Sequence, residues 1–221
     1  MKKWMRYLLL PLFTICVFYA EAQPFANEIA AFKKQDSISF PPKQAILFVG
    51  SSSFTIWKDV QAYFPGYTII NRGFGGSSLT DLMRYQEDVI FPYHPKQIVI
   101  YCGENDIAGD SAVTGKMVFE RFLELYRSIK KNLPGVAVAY ISMKPSSSRW
   151  NMKVKMIAGN SLIKNYLERK KDTNDKYVNV WDPMLDTDGE PMKYIFIKDN
   201  LHMNAKGYTI WQKIIEPYLI K

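Results

Sequence analysis

Short apolar runs alternate with amphipathic stretches along most of the chain. The apolar runs are bounded by Gly, Ser, Asn, Pro or charged residues, and continuous runs of this kind are typical of strands buried on both faces of a sheet. Five strands are predicted, at residues 45–49, 67–70, 97–102, 136–141 and 177–180.

The segments between these strands carry apolar residues at helical spacing. Helices are predicted at residues 54–64, 79–90, 114–133, 150–171 and 204–219. Asn204 is the predicted N-cap of the last helix, and the lead-in at residues 24–43 has a shorter helical pattern that Pro41-Pro42 ends. This alternation predicts an α/β fold, a three-layer αβα sandwich around a central, mostly parallel five-stranded sheet.

The amino terminus has the pattern of a signal peptide. A basic start precedes an apolar stretch at residues 8–19, and Ala20-Glu21-Ala22 fits a cleavage site before Gln23. Residues 1–22 are therefore predicted to be a signal peptide and residues 23–221 a single domain, exported to the periplasm or the cell exterior.

An uncleaved anchor is the alternative for this segment, but its apolar stretch is short for a spanning helix. No stable membrane span is expected after cleavage. Cys16 is not predicted to carry a lipid, because Ile15 stands where a small residue would be expected.

Composition narrows the class of protein further. Hydrophobic residues make up 48% of the chain and charged residues 23%, as in ordinary globular proteins. The formal net charge of +8 is spread over scattered lysine pairs, so no nucleic-acid partner is predicted. After cleavage Cys102 is the remaining cysteine; it lies in an apolar run and is predicted to be a buried small apolar residue, with a nucleophilic role as the alternative.

The first strand runs directly into Gly50 and the serines Ser51-Ser52-Ser53. Ligands of parallel sheets bind just outside the carboxyl ends of the strands. A serine at such an end, close to the N–H groups of a following helix, suits a nucleophile that attacks a carbonyl. The alternative is an ordinary helix N-cap, because serine is a favoured cap.

Two further strands end in small polar clusters. The second ends in a turn that contains Gly75-Gly76, and the third ends in Gly103-Glu104-Asn105-Asp106. Because parallel strands bring their carboxyl ends to one edge of a sheet, these clusters and Ser52 are expected to converge there.

The chain has two histidines, and they differ in setting. His94 lies between Tyr93 and Pro95 in a connecting loop, which suits a surface position. His202 follows Asp199 by three residues. That spacing lets the carboxylate hold one ring nitrogen while the other faces a nucleophile, as a general base requires. A structural Asp–His hydrogen bond is the alternative.

Together these four segments resemble the SGNH hydrolases, also called the GDSL esterase/lipase family, over residues 45–208. The family has a flavodoxin-like fold. Its first block, a strand followed by Gly-Asp-Ser, matches Gly50-Ser51-Ser52 and implies Ser52 as the nucleophile. Its Asp-x-x-His block matches residues 199–202 and implies Asp199 and His202 as the remaining members of a catalytic triad.

The same resemblance implies an oxyanion hole. Its donors would be the backbone N–H groups of Ser52 and Gly76 and the side-chain amide of Asn105, which lies in a Gly-x-Asn-Asp block. The adjacent glycines leave the register between Gly75 and Gly76 open. Ser51 replaces the aspartate of the family name; that aspartate does not perform the chemistry, so the implied mechanism stands.

The function implied is that of a secreted serine esterase that works through an acyl-enzyme, with no cofactor and no metal, on a small-molecule or glycan ester. Short-chain esters, such as O-acetyl groups on carbohydrate, are the expected substrates. Alternatives within the family are a lipase, a lysophospholipase or a thioesterase. A non-catalytic carbohydrate-binding protein would not need the complete set of groups.

Two other classes fit the residues less well. A phosphate-binding domain would use the serines and the glycine turn, but the chain lacks a G-x-x-x-x-G-K-[ST] loop and the Asp199–His202 pair would have no role. A metalloenzyme is disfavoured because one site histidine and no cysteine cluster give poor ligand spacing.

Substrate size is predicted from the connections. The connections look short apart from residues 144–149 and 182–200, and neither of these contains a long amphipathic segment that could form a lid over a lipid-sized cleft. Aromatic and polar residues are expected near the site, where they would suit a sugar; these are Trp57, Arg72, Glu104, Arg149 and Trp150. The alternative for the two tryptophans is packing under helices.

Overall fold

The computed structural model describes residues 23–170 and 174–221. The predicted signal peptide at residues 1–22 therefore lies outside the described residues. Within these ranges the strands are β1 (Ile46–Gly50), β2 (Ile69–Gly73), β3 (Gln97–Tyr101), β4 (Ala137–Ile141) and β5 (Lys176–Val178). They form one sheet in the order β2-β1-β3-β4-β5, and every neighbouring pair is parallel.

Helices cover both faces of this sheet. They are α1 (Ala26–Ile38), α2 (Ser52–Ile56), α3 (Val60–Tyr63), α4 (Leu79–Arg84), α5 (Gln86–Val89), α6 (Glu104–Gly109), α7 (Gly115–Asn132), α8 (Lys153–Glu168) and α9 (Ala205–Ile215). One buried cluster unites one sheet face with α1, α4, α5, α7 and α8, and a second unites the other face with α2, α3 and α9. The predicted three-layer α/β fold is confirmed. No helix in the described ranges is long and apolar enough to cross a membrane.

The three central strands are continuous apolar runs because both of their faces are covered. Every residue of β1, β3 and β4 is buried. The amide side chain of Gln97 is satisfied at the start of β3: its nitrogen donates to the Tyr218 carbonyl at 2.7 Å, and its oxygen accepts from the Ile220 N–H at 3.0 Å.

Strand β2 extends further than the sequence predicts, because its polar residues bond within the fold. Asn71 Nδ2 donates to the Phe54 carbonyl at 2.8 Å. Arg72 is buried, donates from Nε to the Tyr93 hydroxyl at 2.7 Å, and is paired with Asp36 of α1. The lead-in that carries Asp36 is a 13-residue helix rather than the short pattern predicted.

The outer edge of β2 is closed by side chains. Gln61 Oε1 accepts from the Ile69 N–H at 2.9 Å, and Asn71 Oδ1 accepts from the Gly73 N–H at 3.0 Å. Arg72 Nη1 donates to the Asn71 carbonyl at 3.0 Å. Three backbone groups that face away from β1 therefore have partners within the chain.

Two predicted helices are interrupted. The helix predicted at residues 54–64 is split into α2 and α3, because Trp57 ends α2 and buries its indole completely, stacked on Tyr208 with ring centroids 4.6 Å apart. The helix predicted at residues 79–90 is split into α4 and α5 at Tyr85, whose hydroxyl donates to the Pro24 carbonyl.

Candidate active site

Ser52 lies where β1 gives way to α2. Gly50, the last residue of β1, has φ +153°, and a Cβ there would lie 2.0 Å from the Tyr101 carbonyl oxygen of β3. Only glycine fits so close to a neighbouring backbone. The Ser51 N–H then donates to the same carbonyl at 3.1 Å, and Ser52 becomes the first residue of α2. The turn therefore places the Ser52 hydroxyl at the carboxyl edge of the sheet.

A hydrogen-bonded relay connects this hydroxyl to a histidine and a carboxylate. His202 Nε2 lies 2.8 Å from Ser52 Oγ, and His202 Nδ1 lies 2.5 Å from Asp199 Oδ2. A carboxylate only accepts, so Nδ1 carries the proton and Nε2 of the neutral ring accepts from the Ser52 hydroxyl. This is the arrangement that lets a histidine act as general base on a serine.

The loop before α9 builds the acidic part of the relay. Asp199 Oδ1 accepts from the backbone N–H groups of Leu201 and His202, each at 2.9 Å. Asn200 adopts a left-handed conformation with φ 54°, and the Ile197 N–H closes the loop onto the His202 carbonyl at 2.8 Å. One carboxylate oxygen is thus held by the backbone, and the other faces the imidazole.

This setting lowers the pKa of Asp199 to about 2. Burial alone would raise the pKa, but hydrogen bonds from the His202 ring and from the two backbone N–H groups outweigh it. The carboxylate therefore stays ionised across the ordinary pH range.

We expect the Asp199 carboxyl carbon to titrate in NMR with a midpoint near pH 2, below the ordinary aspartate value of about 3.9. Since the pKa is lower in the folded protein, the stabilisation is complete above about pH 4 and is lost as the pH falls toward about 2. His202→Ala removes the ring hydrogen bond and should move the midpoint upward. A wild-type midpoint near 4 would contradict this prediction.

The turn between β2 and α4 brings Gly76 beside the end of β1. The Phe74 N–H and the Ser77 hydroxyl both donate to the Gly50 carbonyl, at 2.9 and 3.2 Å. Gly76 has φ +85°, whereas Gly75 has no positive φ. Of the two adjacent glycines, Gly76 is therefore the one whose backbone conformation side chains rarely adopt.

Asn105 lies in the first turn of α6, at the end of β3. Its Nδ2 donates to the Ser77 carbonyl at 2.9 Å, and its Oδ1 accepts from Arg149 Nη2 at 2.7 Å. These contacts use one of the two amide hydrogens. The other can serve an acceptor in the site.

A buried group of charges adjoins Asn105, and the sequence analysis missed one member. Glu104 binds the Tyr101 hydroxyl, Lys144 Nζ at 3.1 Å and Arg149 Nη1 at 3.1 Å. Burial lowers the pKa of Lys144, and the Glu104 carboxylate opposes that shift. Lys144 follows β4 by three residues, so the strand-end argument used for Ser52 and Asn105 would have found it.

Two residues expected near the site lie elsewhere. Trp57 is enclosed in the core under α2 and α9, and Arg72 lies against α1. Both residues were placed near the site from their neighbours in sequence, but their side chains pack against the surrounding helices instead. His94 is exposed in its loop. Cys102 is buried, and burial raises its pKa, which disfavours the nucleophilic thiolate.

The sequence profile of the GDSL-like Lipase/Acylhydrolase family matches residues 36–210. A search of curated proteins gives no match.

Solved structures share the fold at low identity. A Streptococcus pneumoniae protein described as a candidate platelet activating factor is 22% identical with a TM-score of 0.75, over 88% of this chain and 92% of that one. A GDSL-like lipase from Bacteroides thetaiotaomicron is 23% identical with a TM-score of 0.70, over 86% and 95%. An acetylxylan esterase from Geobacillus stearothermophilus is 15% identical with a TM-score of 0.61, over 81% and 96%.

The family profile covers well over half of the chain, and the five-stranded parallel sheet is the one found in these structures. The chain therefore belongs to the GDSL-like Lipase/Acylhydrolase family and is a serine ester hydrolase.

Proposed function

We propose that this chain is a secreted esterase that removes short acyl groups, with O-acetyl groups on carbohydrate as its substrate class. Ser52 is the nucleophile, His202 the general base and acid, and Asp199 the residue that orients the imidazole. The observation that supports this assignment is the continuous relay from Ser52 Oγ through His202 to Asp199.

The reaction follows from the relay. As Ser52 Oγ bonds to the ester carbonyl carbon, its proton passes to His202 Nε2, and the Nδ1 proton stays on the ring and is donated in a hydrogen bond to Asp199. The bond to the leaving oxygen then breaks, and Nε2 returns the proton to the departing alcohol. Water repeats both steps on the acyl-enzyme, which releases the acid and restores the Ser52 hydroxyl.

The negative charge on the tetrahedral intermediate needs donors. We assign this role to the backbone N–H groups of Ser52 and Gly76 and to the free N–H of the Asn105 amide. All three come from segments that end at the same edge of the sheet. Donors fixed in place before reaction stabilise the charge without reorganising.

An open site supports a bulky alcohol. The side chain of Asp199 is 41% exposed and that of His202 20%, so a large leaving group can stand in solvent beside the relay. The helices that begin at the ends of β1 and β3, α2 and α6, have five and six residues, whereas a lid over a lipid chain needs a long amphipathic segment.

An apolar and an aromatic side chain are available to contact the acyl group and the sugar of the substrate. Ile56 is exposed one turn after Ser52, on the same side of α2, where it can contact a short acyl group. Trp150 follows Arg149 and stacks on Trp181 with centroids 5.8 Å apart. Aromatic rings of this kind can pack against a sugar. One of the structural neighbours, which is 15% identical to this chain, is described as an acetylxylan esterase.

Export rests on residues 1–22, whose basic start, apolar stretch and Ala20-Glu21-Ala22 site have the signal-peptide pattern. The proposed location is the periplasm or the cell exterior.

We expect kcat/KM to be highest for acetyl or propionyl esters and to fall steadily with longer chains, because the short helices α2 and α6 provide no lid over a long acyl chain. The measurement is a series of p-nitrophenyl esters from acetate to palmitate, followed by acetate release from a panel of acetylated glycans. A maximum at octanoate or longer would indicate a lipase or lysophospholipase. If no ester were hydrolysed, the result would instead favour a non-catalytic carbohydrate-binding protein.

A further inference from the structure

We propose that Arg149 is a positioning residue for ester hydrolysis, which holds the Asn105 amide in the orientation that the oxyanion needs. The inference rests on the proposed function and extends it to a side chain outside the triad and the three oxyanion donors.

The guanidinium of Arg149 binds two neighbours at once. Nη2 donates to Asn105 Oδ1 at 2.7 Å, and Nη1 donates to Glu104 Oε2 at 3.1 Å. Two bonds from different nitrogens of one planar group fix its plane as well as its position. Arg149 is therefore directed at Asn105 and is not a mobile surface cation.

Glu104 is itself fixed. Lys144 Nζ lies 3.1 and 3.3 Å from its two carboxylate oxygens, and the Tyr101 hydroxyl donates to one of them. Glu104 and Lys144 are 5% and 1% exposed. Lys144 and Arg149 both pair with the single Glu104 carboxylate, and Arg149 bonds at its other end to Asn105 Oδ1.

An asparagine amide needs this support. Its terminal torsion has two nearly equivalent orientations, which exchange oxygen and nitrogen. With the oxygen directed into the site, Asn105 would repel an oxyanion. The Arg149 guanidinium has donors and no acceptor, so it can bond to the amide oxygen of Asn105 but not to the amide nitrogen.

The Ser77 carbonyl can only accept, so it bonds to the amide nitrogen of Asn105 instead, and Nδ2 donates to it at 2.9 Å. The amide is thus held from both ends. The adjacent cation also polarises it, which makes the remaining N–H a stronger donor.

The segment that carries Arg149 also contacts the loop that holds the base. Arg149 lies in a 3-10 helix at Ser147–Met152, where its φ of −119° interrupts the helical conformation. The Ser148 N–H donates to the Asn200 carbonyl at 3.2 Å, next to Asp199. One short segment therefore connects the oxyanion side of the site with the loop that holds His202.

The test compares Arg149→Met with Arg121→Met. Arg121 pairs with the buried Asp106, which neighbours Asn105 on α6, at 2.8 Å. It is thus a matched arginine that supports the same helix without a bond to the Asn105 amide. Arg149→Met should lower kcat by about tenfold to a hundredfold, less than the loss of a whole oxyanion donor, with little change in KM. Arg149→Lys should recover part of the rate, and Arg121→Met should retain it.

A double-mutant cycle separates positioning from general damage. On an Asn105→Ala background, Arg149→Met should lower kcat by less than about twofold, because the group it orients is gone. An equal loss in both backgrounds would overturn the proposal, and so would an equal loss in Arg121→Met.

A second readout does not depend on turnover. The side-chain amide signals of Asn105, assigned by their absence in Asn105→Ala, should shift in Arg149→Met and stay in place in Arg121→Met. If the wild type hydrolyses no ester but these signals shift, the proposed function fails and the positioning contact stands. If esters are hydrolysed while signals and kcat are unchanged in Arg149→Met, the positioning role is wrong.

Discussion

Ser52→Ala is expected to lower kcat for p-nitrophenyl acetate by at least about four orders of magnitude, the size of loss seen when a serine nucleophile is removed from a triad. The hydroxyl is the group that would bond to the substrate, and its contact in the fold is with His202 at 2.8 Å. Deleting it removes no core packing, so thermal unfolding should be almost unchanged. The measurement is steady-state kcat beside a thermal melt.

Ser53→Ala is the matched control for this variant. Ser53 is the next residue of α2, is 2% exposed, and contributes its backbone carbonyl to the Tyr208 hydroxyl at 2.8 Å. Removing its hydroxyl should leave kcat nearly intact. If Ser53→Ala abolished turnover while Ser52→Ala left it in place, the assignment of the nucleophile would be wrong.

Asp199→Asn should lower kcat by about three to four orders of magnitude while the loop keeps its shape. Oδ1 accepts from two backbone N–H groups, so an asparagine must keep its oxygen there and direct its NH₂ group at His202 Nδ1. A ring nitrogen that faces a donor is unprotonated, and the proton moves to Nε2. Nε2 then donates toward Ser52 and can no longer accept its proton.

Asp186→Asn provides the comparison. Asp186 Oδ1 also accepts from two backbone N–H groups, those of Asp188 and Glu190, each at 3.0 Å, in a turn that contains no histidine. Its substitution should leave kcat unchanged. Full kcat in Asp199→Asn would instead mean that the Asp199–His202 pair has only a structural role.

The architecture could be predicted from the sequence because the apolar strands and the polar clusters that follow them can both be recognised in short segments. Each central strand is mostly a run of apolar residues, and the first three strands along the chain are each followed by a small polar cluster. Parallel topology then brings distant clusters together, so the proximity of Ser52, the glycine turn and Asn105 required only the strand order.

The differences from prediction arise where tertiary contacts override local pattern. Asn71 and Arg72 look like turn residues, but they belong to β2 because side-chain partners elsewhere in the fold satisfy them. Trp57 falls at helical spacing, yet α2 ends there and the indole is completely buried. The strand-end position of Lys144 was open to prediction, but its burial was not, because that depends on Glu104, 40 residues away.

The closed outer edge of β2 has a consequence for behaviour at high concentration. An edge strand with free N–H and C=O groups is a template on which another chain can add a strand, which is how many sheets begin to aggregate. Gln61, Asn71 and Arg72 already occupy three of those groups. An approaching strand would have to displace them first. Side chains with no part in hydrolysis thus oppose strand addition at the β2 edge of the sheet.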